Sequence, residues 1–228
     1  MKPQIELTKD GSSTLLHPKY NALYHSTYGA IEESNFVYIN AGLFAVLSSE
    51  TEQDVKQPCS ILEVGFGSGL NAFNTFLKTE ALPVDINYVG IETFPVGLDI
   101  VEKLNYPELF LKKDKQDIFN TMHEVSWEEA HQISNQFTLE KRNHDIFNLK
   151  IKNHFDVIYY DAFGPGAQPE LWTAPIFEIM YEALKKNGVL ITYCAQGAAR
   201  RAMISVGFKV ERLPGPPNKR HILRAVKV

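Results

Sequence analysis

Four short apolar segments constrain the fold of this chain more than any other feature of its sequence. They are Cys59–Val64, Asp85–Ile91, His154–Tyr160 and Gly188–Tyr193, each almost entirely apolar. Strands that are buried on both faces have this pattern, which is typical of parallel sheets. Segments with helical periodicity lie between them, and this alternation of strand and helix predicts an α/β fold with right-handed crossovers.

Helices are predicted both between these strands and before the first of them. The predicted helices are Glu32–Leu47, Leu70–Thr79, Val96–Leu104 and Trp172–Lys186. Asn187-Gly188 is a C-terminal stop signal for the last one. The segment Lys112–Gln136 is polar and helix-forming throughout.

Weaker strands and turns complete the predicted pattern. Phe137–Lys141 alternates apolar and polar residues, as a half-exposed strand does. Asp10-Gly11 predicts a hairpin turn near the N-terminus. Gly207–Arg212 and His221–Val226 are expected to pair antiparallel across the turn Pro214–Asn218.

Composition excludes several classes of protein. The 228 residues are 44% hydrophobic and 22% charged, as in ordinary globular chains. There are two cysteines, Cys59 and Cys194, no signal peptide, and no apolar run near the ~18 residues of a membrane span. The histidines have no metal-ligand spacing. We therefore expect a cytoplasmic protein with no membrane partner and no metal.

Charge is unevenly distributed along the chain. The formal net charge is −4, but residues 198–228 contain eight basic residues and one acid. That segment is near +7 and the remainder near −11. Such asymmetry indicates either a surface that faces a polyanion or a basic surface that is merely solvated.

A glycine-rich loop follows the first buried strand and precedes a helix. It reads Glu63-Val-Gly65-Phe-Gly67-Ser-Gly69-Leu-Asn71, and Glu92 follows the next strand. Glycines at this turn permit positive φ and close approach of a ligand, and the later carboxylate is placed to bind ribose hydroxyls. A dinucleotide site and a purely structural turn remain alternatives. Glu63 favours a cationic ligand over a pyrophosphate, because a carboxylate would repel phosphates.

Two further acids follow predicted strands. Asp145 comes after Phe137–Lys141, where a carboxylate would lie near an adenine amino group; otherwise it only begins a turn. Asp161 ends the third buried strand and precedes Phe163 and Gly164-Pro165-Gly166. The carboxyl end of a central parallel strand is where open α/β sheets bind ligands. Asp161 is therefore a candidate to hold a substrate amine, unless it merely caps the loop.

The glycine loop resembles that of class I S-adenosylmethionine-dependent methyltransferases. Three further segments make the resemblance more specific. They are the pair Asp161–Pro165 and Pro169–Thr173, an opening segment with Tyr24 and Glu33, and a closing segment with Gly215, Lys219, Arg220 and Arg224. Together they resemble the tRNA 5-methylaminomethyl-2-thiouridine methyltransferases, which form half of MnmC-type bifunctional proteins or stand alone as MnmD. The matching segments run from about residue 8 to residue 226.

The resemblance implies a Rossmann-like class I methyltransferase fold. Its sheet would be seven-stranded and mostly parallel, with an antiparallel C-terminal hairpin, in a domain at residues 58–228. Residues 1–57 would form an N-terminal extension on the substrate side.

The resemblance also implies a reaction and its residues. S-adenosylmethionine would methylate the amine of 5-aminomethyl-2-thiouridine at the tRNA wobble position, in the anticodon stem-loop. A separate enzyme would supply the aminomethyl group, and no flavin domain is expected in this chain. The implied catalytic residues are Asp161 and Phe163. The implied cofactor residues are Glu63, Gly65, Gly67, Gly69, Asn71, Glu92 and Asp145, and the implied substrate or RNA residues are Tyr24, Glu33, Lys219, Arg220 and Arg224.

Two rival hypotheses remain open. The chain could be a class I methyltransferase for a small-molecule or protein amine, which would need no basic C-terminal segment. It could instead be a Rossmann-like binding module without turnover, although Asp161 argues against that. Glu32 and Glu33 could likewise be a solvated helix face.

Overall fold

A computed structural model describes residues 2–48, 58–217 and 219–228 of the chain. The strands in these ranges are β1 (Gln4–Leu7), β2 (Ser13–His17), β3 (Ala22–Leu23), β4 (Cys59–Val64), β5 (Ile86–Ile91), β6 (Ala130–Ser134), β7 (Phe137–Arg142), β8 (Phe155–Tyr160), β9 (Leu184–Thr192), β10 (Phe208–Pro214) and β11 (His221–Lys227). The α-helices are α1 (Ala30–Glu33), α2 (Phe44–Leu47), α3 (Leu70–Thr79), α4 (Leu98–Val101), α5 (Tyr106–Leu109), α6 (Gln116–Glu124), α7 (Ala174–Ala183) and α8 (Gly197–Ser205). A π-helix, Ser34–Leu43, joins α1 to α2. Three 3₁₀ segments cover Lys113–Lys115, Ile146–Asn148 and Pro169–Trp172.

The main sheet has the strand order β10-β11-β9-β8-β4-β5-β7-β6. Its five central strands, from β9 to β7, are parallel, whereas β10, β11 and β6 run antiparallel to their neighbours. The predicted α/β fold and C-terminal hairpin are therefore confirmed. The chain continues from β4 to β5 on one side and later adds β8 on the other. This reversal opens a crevice at the carboxyl end of β4.

The described sheet has eight strands, so the expected count of seven is wrong. The additional strand, β6, lies in the polar segment that was predicted to be helical, of which only Gln116–Glu124 forms an α-helix. One side chain of β6, Ile133, is buried. An edge strand with so little apolar surface has no alternating pattern, and its hydrogen bonds to β7 determine its conformation.

The helix predicted over Trp172–Lys186 is shorter than expected. It ends at Ala183, and Leu184 already begins β9. Asn187 has a φ of 64°, and β9 shifts register against β8 between Phe155 and Val157. Asn187-Gly188 therefore marks a bulge within a strand and not a helix end.

Helices cover both faces of the sheet. On one face, α3, α6 and the N-terminal helical segment pack in a core that includes Phe73, Phe119 and Tyr159. On the other face, α7 and α8 pack in a core that includes Phe177 and Met203. Cys59 and Cys194 are both buried in these cores. Strands that are covered on two sides are apolar at most positions, as the sequence predicts.

The N-terminal segment lies against the edge of the crevice. β1 and β2 form the hairpin predicted at Asp10-Gly11, with Gly11 at a φ of 83°. Helical structure runs without a break from Ala30 to Leu47, close to the predicted helix. The expected boundary between residues 57 and 58 adjoins residues 49–57, which lie outside the described residues. None of the described helices combines the length and apolar character that crossing a bilayer requires.

Candidate active site

A cavity of about 280 Å³ lies at the carboxyl ends of β4, β5 and β8. Nine residues singled out in the sequence line it together. They are Tyr24, Glu63, Gly65, Gly67, Asn71, Glu92, Asp145, Asp161 and Phe163. Of the other singled-out residues in the described ranges, Gly69, Glu33, Lys219, Arg220 and Arg224 lie outside its wall. The crevice therefore brings together residues that are far apart in sequence.

The glycine loop turns tightly between β4 and α3. Gly65 and Gly67 have φ values of 92° and 51°, which side-chain-bearing residues rarely adopt. A Cβ on Gly67 would lie 2.9 Å from the Tyr24 ring, and one on Gly65 would lie 2.8 Å from the backbone oxygen of Asp161. The glycines thus allow the loop to pack closely against Tyr24 and the backbone of Asp161.

Glu92 connects the glycine loop to the end of β5. Its Oε2 accepts a hydrogen bond from the Gly67 amide at 2.9 Å, and its Oε1 accepts one from the Phe94 amide at 2.8 Å. Burial raises the pKa of Glu92, although these backbone donors favour its ionised form. Each oxygen retains a lone pair that could accept a ligand hydroxyl.

Asn71 links two carboxylates at the floor of the cavity. Its Nδ2 donates to Glu63 Oε1 at 2.9 Å and to Asp161 Oδ2 at 2.8 Å, while its Oδ1 accepts from Ser34 Oγ at 2.7 Å. Both N–H bonds of the amide are therefore in use within the protein. The prediction that Asn71 binds the cofactor remains untested, but the amide has no N–H left for that role.

Glu63 is almost fully enclosed, with 1% of its surface exposed. Its second oxygen accepts a hydrogen bond from the Tyr88 hydroxyl at 2.8 Å. Burial raises the pKa of Glu63 well above its usual value, and the nearby Asp161 carboxylate raises it further. A cation bound in the cavity would stabilise the ionised form.

Asp161 is held from two sides. Its Oδ1 accepts a hydrogen bond from the Tyr38 hydroxyl at 2.6 Å, in addition to the Asn71 bond on Oδ2. Burial, with the nearby Glu33 carboxylate, raises the pKa of Asp161 to about 8. A carboxyl group with a pKa near neutrality can exchange a proton with a bound substrate.

The loop after β8 is fastened by residues that follow it. The Trp172 indole donates to the backbone oxygen of Phe163 at 2.8 Å, and the Tyr193 hydroxyl donates to that of Ala162 at 2.9 Å. Trp172 packs edge-on against Tyr160. The two halves of the Asp161–Thr173 motif therefore act as one structural unit that keeps Asp161 and Phe163 at the cavity.

Aromatic rings form one wall of the cavity. Phe163 lies 5.1 Å from Tyr24, 5.3 Å from His17 and 5.5 Å from Tyr20, measured between ring centroids. Lys19 and Phe94 also line the cavity, and Lys19 Nζ lies 5.0 Å from the Phe94 ring centroid. Sequence reasoning missed Lys19, Tyr20 and Phe94, which line the cavity, and His17, which packs against Phe163 from the end of β2. No periodicity marks the three lining residues, which lie outside the strands and helices, although their aromatic and basic composition is a usable signal.

Several other predicted residues have local partners. Asp145 Oδ1 accepts a hydrogen bond from the Phe147 amide at 3.1 Å and caps a 3₁₀ turn, although the residue also lines the cavity. Glu33 is buried, with 6% exposed, and pairs with Lys219, so it is not on a solvated helix face. Arg224 pairs with Glu211 at 2.9 Å. Arg220 is exposed, and Asn218 of the same turn lies outside the described residues.

Acidic side chains outnumber basic ones in the cavity wall. The described residues that line it include five acids, Glu63, Glu92, Asp145, Asp161 and Glu170, and one lysine, Lys19. Such a cavity attracts a cation and disfavours a pyrophosphate. No group of three metal-ligating side chains was found in the described ranges.

Comparison with protein families identifies the chain. The family model described as S-adenosyl-L-methionine-dependent methyltransferase matches residues 112–228, just over half of the chain. The chain belongs to this family. The matched region includes the Asp161 loop and the C-terminal hairpin, whereas the glycine loop precedes it.

Relatives of this methyltransferase include longer proteins. It is 27% identical over 237 residues to the tRNA 5-methylaminomethyl-2-thiouridine biosynthesis bifunctional protein MnmC of Delftia acidovorans, covering 99% of this chain and 35% of that protein. Its identity to the MnmC protein of Pseudoalteromonas atlantica is 25%, covering 97% of this chain and 33% of that one. The chain therefore spans about a third of the length of these curated relatives.

Solved structures have the same architecture. MNMC2 from Aquifex aeolicus superposes with a TM-score of 0.76 at 25% identity, covering 98% of this chain and 69% of that one. Spermidine synthase from Thermotoga maritima has a TM-score of 0.54 at 18% identity, covering 100% and 70% of the two chains. The latter likeness concerns the fold alone.

The cavity of the methyltransferase fits S-adenosylmethionine. Glu92 can accept ribose hydroxyl groups, and the acidic wall suits a ligand with a sulfonium and an ammonium group. Ile91, Phe94 and Phe147 provide apolar surface for an adenine ring. Gly65 and Gly67 both line the cavity, so the backbone of the loop forms part of its wall.

Proposed function

We propose that this methyltransferase acts on the amine of 5-aminomethyl-2-thiouridine at the wobble position of tRNA. The product would be 5-methylaminomethyl-2-thiouridine, the nucleoside in the names of the MnmC relatives. The single observation that carries the proposal is the half-buried Asp161 carboxylate beside an aromatic wall. It offers a proton acceptor and a stacking surface within one cavity.

The reaction needs a neutral amine near the methyl donor. S-adenosylmethionine, when bound, supplies a methyl carbon to the amine nitrogen, and the electron pair of the broken C–S bond remains on sulfur. An alkylamine resembling lysine has a pKa near 10.4 and is mostly protonated at neutral pH. Asp161 accepts one proton and orients the nitrogen lone pair, and positioning contributes much of the remaining acceleration.

Phe163 and its aromatic neighbours bind the uracil ring. A base that projects from an anticodon loop can stack on aromatic side chains, and each such contact is worth about 1–3 kcal/mol. Lys19, at the cavity mouth, is placed to contact an adjacent phosphate. The basic C-terminal segment, with Arg220 exposed, extends the RNA contact away from the cavity.

The wider assignment follows from the same proposal. The N-terminal segment at residues 1–57 is the substrate-side extension of a domain at residues 58–228, because Tyr24 and Tyr38 both reach the site from it. The protein acts in the cytoplasm on the anticodon stem-loop. A separate enzyme supplies the aminomethyl group.

Nucleoside mass spectrometry tests the proposal directly. Purified protein is incubated with S-adenosylmethionine and tRNA that carries 5-aminomethyl-2-thiouridine, and the digested nucleosides are analysed for a gain of one methyl group on that nucleoside. Matched tRNA with unmodified uridine at the wobble position is the control, since it lacks the amine.

Two results would reject the proposal. One is the absence of methylation on the aminomethyl substrate by protein that binds S-adenosylmethionine. The other is equal methylation of small amines and tRNA, which would support the rival small-molecule activity. Accumulation of the aminomethyl nucleoside in a strain without this protein would support the proposal independently.

A further inference from the structure

Tyr38 contacts the Asp161 carboxylate from the π-helix Ser34–Leu43, which lies outside the main sheet. Its hydroxyl donates to Asp161 Oδ1 at 2.6 Å, across 123 residues of sequence. Tyr38 has 1% of its surface exposed, and its ring lies 5.3 Å from that of Tyr159. Since the ring is enclosed, the hydroxyl has a defined position.

The π-helix that carries Tyr38 also holds the second oxygen of Asp161, because Ser34 of that helix bonds to Asn71. Ser34 Oγ donates to Asn71 Oδ1 at 2.7 Å, and Asn71 Nδ2 donates to Asp161 Oδ2 at 2.8 Å. Ser34 and Tyr38 are four residues apart on one face of the π-helix. Rotation of the Asp161 carboxylate about its Cβ–Cγ bond would therefore break a hydrogen bond on each side.

The π-helix lies close to the sheet at this point. A Cβ on Gly42 would lie 2.8 Å from Ile191 Cγ2, so a larger residue there would move the helix away. π-Helical turns are rare and occur frequently at functional sites. Here the π-helix carries Ser34 and Tyr38, so any displacement of it changes the hydrogen bonds on Asp161.

We propose that Tyr38 is a positioning residue for methyl transfer, which fixes the Asp161 carboxylate so that a free lone pair faces the substrate amine. This inference rests on the proposed function, in which Asp161 receives the amine proton. Tyr38 itself does not touch the substrate. Its hydroxyl acts through Asp161 and stabilises the ionised carboxylate.

Loss of this hydrogen bond has a definite effect on protonation. A donor to an ionised carboxylate lowers its pKa, so removal of the Tyr38 hydroxyl raises the pKa of Asp161 above its value of about 8. The other groups that act on Asp161 electrostatically stay in place in such a variant. They are Glu33, Glu63, Tyr88, Tyr193 and Lys219.

The test compares Tyr38→Phe with Tyr159→Phe in the full-length protein. Both substitutions remove one buried hydroxyl from neighbouring rings, but Tyr159 bonds with Thr75 Oγ1 at 3.3 Å and is not bonded to Asp161. Three quantities are measured for each variant and for wild type. They are the affinity for S-adenosylmethionine, the pH dependence of kcat/KM on aminomethyl-containing tRNA, and the ¹³C carboxyl titration of Asp161 without substrate.

We expect Tyr38→Phe to lower kcat/KM at pH 7 about tenfold and to move its rising limb up by about one pH unit. The rate should recover partly at pH 9 to 10, and affinity for S-adenosylmethionine should change less than about threefold. The ¹³C titration of Asp161 should move upward by a similar amount. Tyr159→Phe should leave the pH profile and the Asp161 titration unchanged.

Equal changes in both variants, or a loss in Tyr38→Phe that high pH does not relieve, would overturn the inference. Either would mean that Tyr38 only packs in the core. The ¹³C titration needs no substrate, so it tests the contact even if wild-type protein fails to methylate this tRNA. An unshifted Asp161 titration in Tyr38→Phe overturns the positioning role, whereas an inactive wild type rejects only the proposed substrate.

Discussion

The side-chain amide of Asn71 donates to Asp161 Oδ2 at 2.8 Å and so connects α3, which follows the glycine loop, to the end of β8. The same nitrogen donates to Glu63, so a single neutral group separates the buried Glu63 from the half-buried Asp161. Burial raises the pKa of both carboxyl groups, whereas the hydrogen bonds from this amide lower it. The ionisation of both acids therefore depends on Asn71. The arrangement joins the expected cofactor side of the cavity to the expected substrate side.

Asn71→Asp should destabilise the protein in a pH-dependent way. The substitution preserves side-chain volume but replaces the shared donor with a third acid. We expect the free energy of unfolding to fall by about 2–4 kcal/mol at pH 8, and by less at pH 5, where the carboxyl groups hold protons. Urea denaturation at both pH values measures this. Equal losses at the two pH values would contradict the electrostatic explanation.

Glu92→Gln should weaken binding of S-adenosylmethionine. The two oxygens of Glu92 accept from the amides of Gly67 and Phe94 and have lone pairs left for ribose hydroxyl groups. A glutamine side chain has only one acceptor oxygen, so it cannot accept all of these hydrogen bonds. We expect calorimetry to show a loss of about 1–3 kcal/mol in the free energy of S-adenosylmethionine binding, which is an increase of roughly 5- to 150-fold in Kd. Glu170→Gln, on the same wall, is the matched control and should change Kd little. If NAD bound wild-type protein as tightly as S-adenosylmethionine, the cofactor assignment of Glu92 would fail.

Asp161→Asn should reduce activity and increase stability. The pKa of Asp161 is about 8 in the folded protein against a usual 3.8, so between these values the folded state holds a proton that the unfolded state has released. Its contribution to the free energy of unfolding therefore decreases as pH rises from about 4 to 8. The variant should gain about 1–2 kcal/mol at pH 8 relative to wild type, while kcat falls by about 10²–10⁴. A normal kcat at pH 7 would assign the proton acceptor elsewhere.

Salt dependence should distinguish the basic residues of the C-terminal segment. Arg220 is exposed, whereas Arg224 is paired with Glu211. We expect Arg220→Glu to lower the slope of log affinity for tRNA against log salt by at least ~0.7, because it removes a phosphate contact. Arg224→Glu should change the slope less. Filter binding at several salt concentrations gives the slopes. An unchanged slope for Arg220→Glu would mean that this surface faces solvent and does not contact tRNA phosphates.

Local sequence determined most of the sheet and the main features of the site. The apolar segments at Cys59–Val64 and Phe155–Tyr160 are strands within a residue of their predicted bounds, and Leu70–Thr79 is the predicted helix. Strands that are buried on both faces are apolar at most positions, so their signal is local. Glycines, strand ends and the acids that follow them likewise lie within one short segment, and this placed Glu92 and Asp161 at the cavity.

Tertiary structure decided what has no local signal. β6 is a strand because β7 supplies its hydrogen-bond partners, and Asn187-Gly188 is a bulge because β9 must continue beside β8. Tyr38 in its helix and Asp161 at its strand end are 123 residues apart, and only packing of the π-helix on the sheet brings them together. The sequence by itself determined the elements and the chemical groups at their ends. Hydrogen bonding and burial between distant elements decided which groups meet and how each carboxyl group ionises.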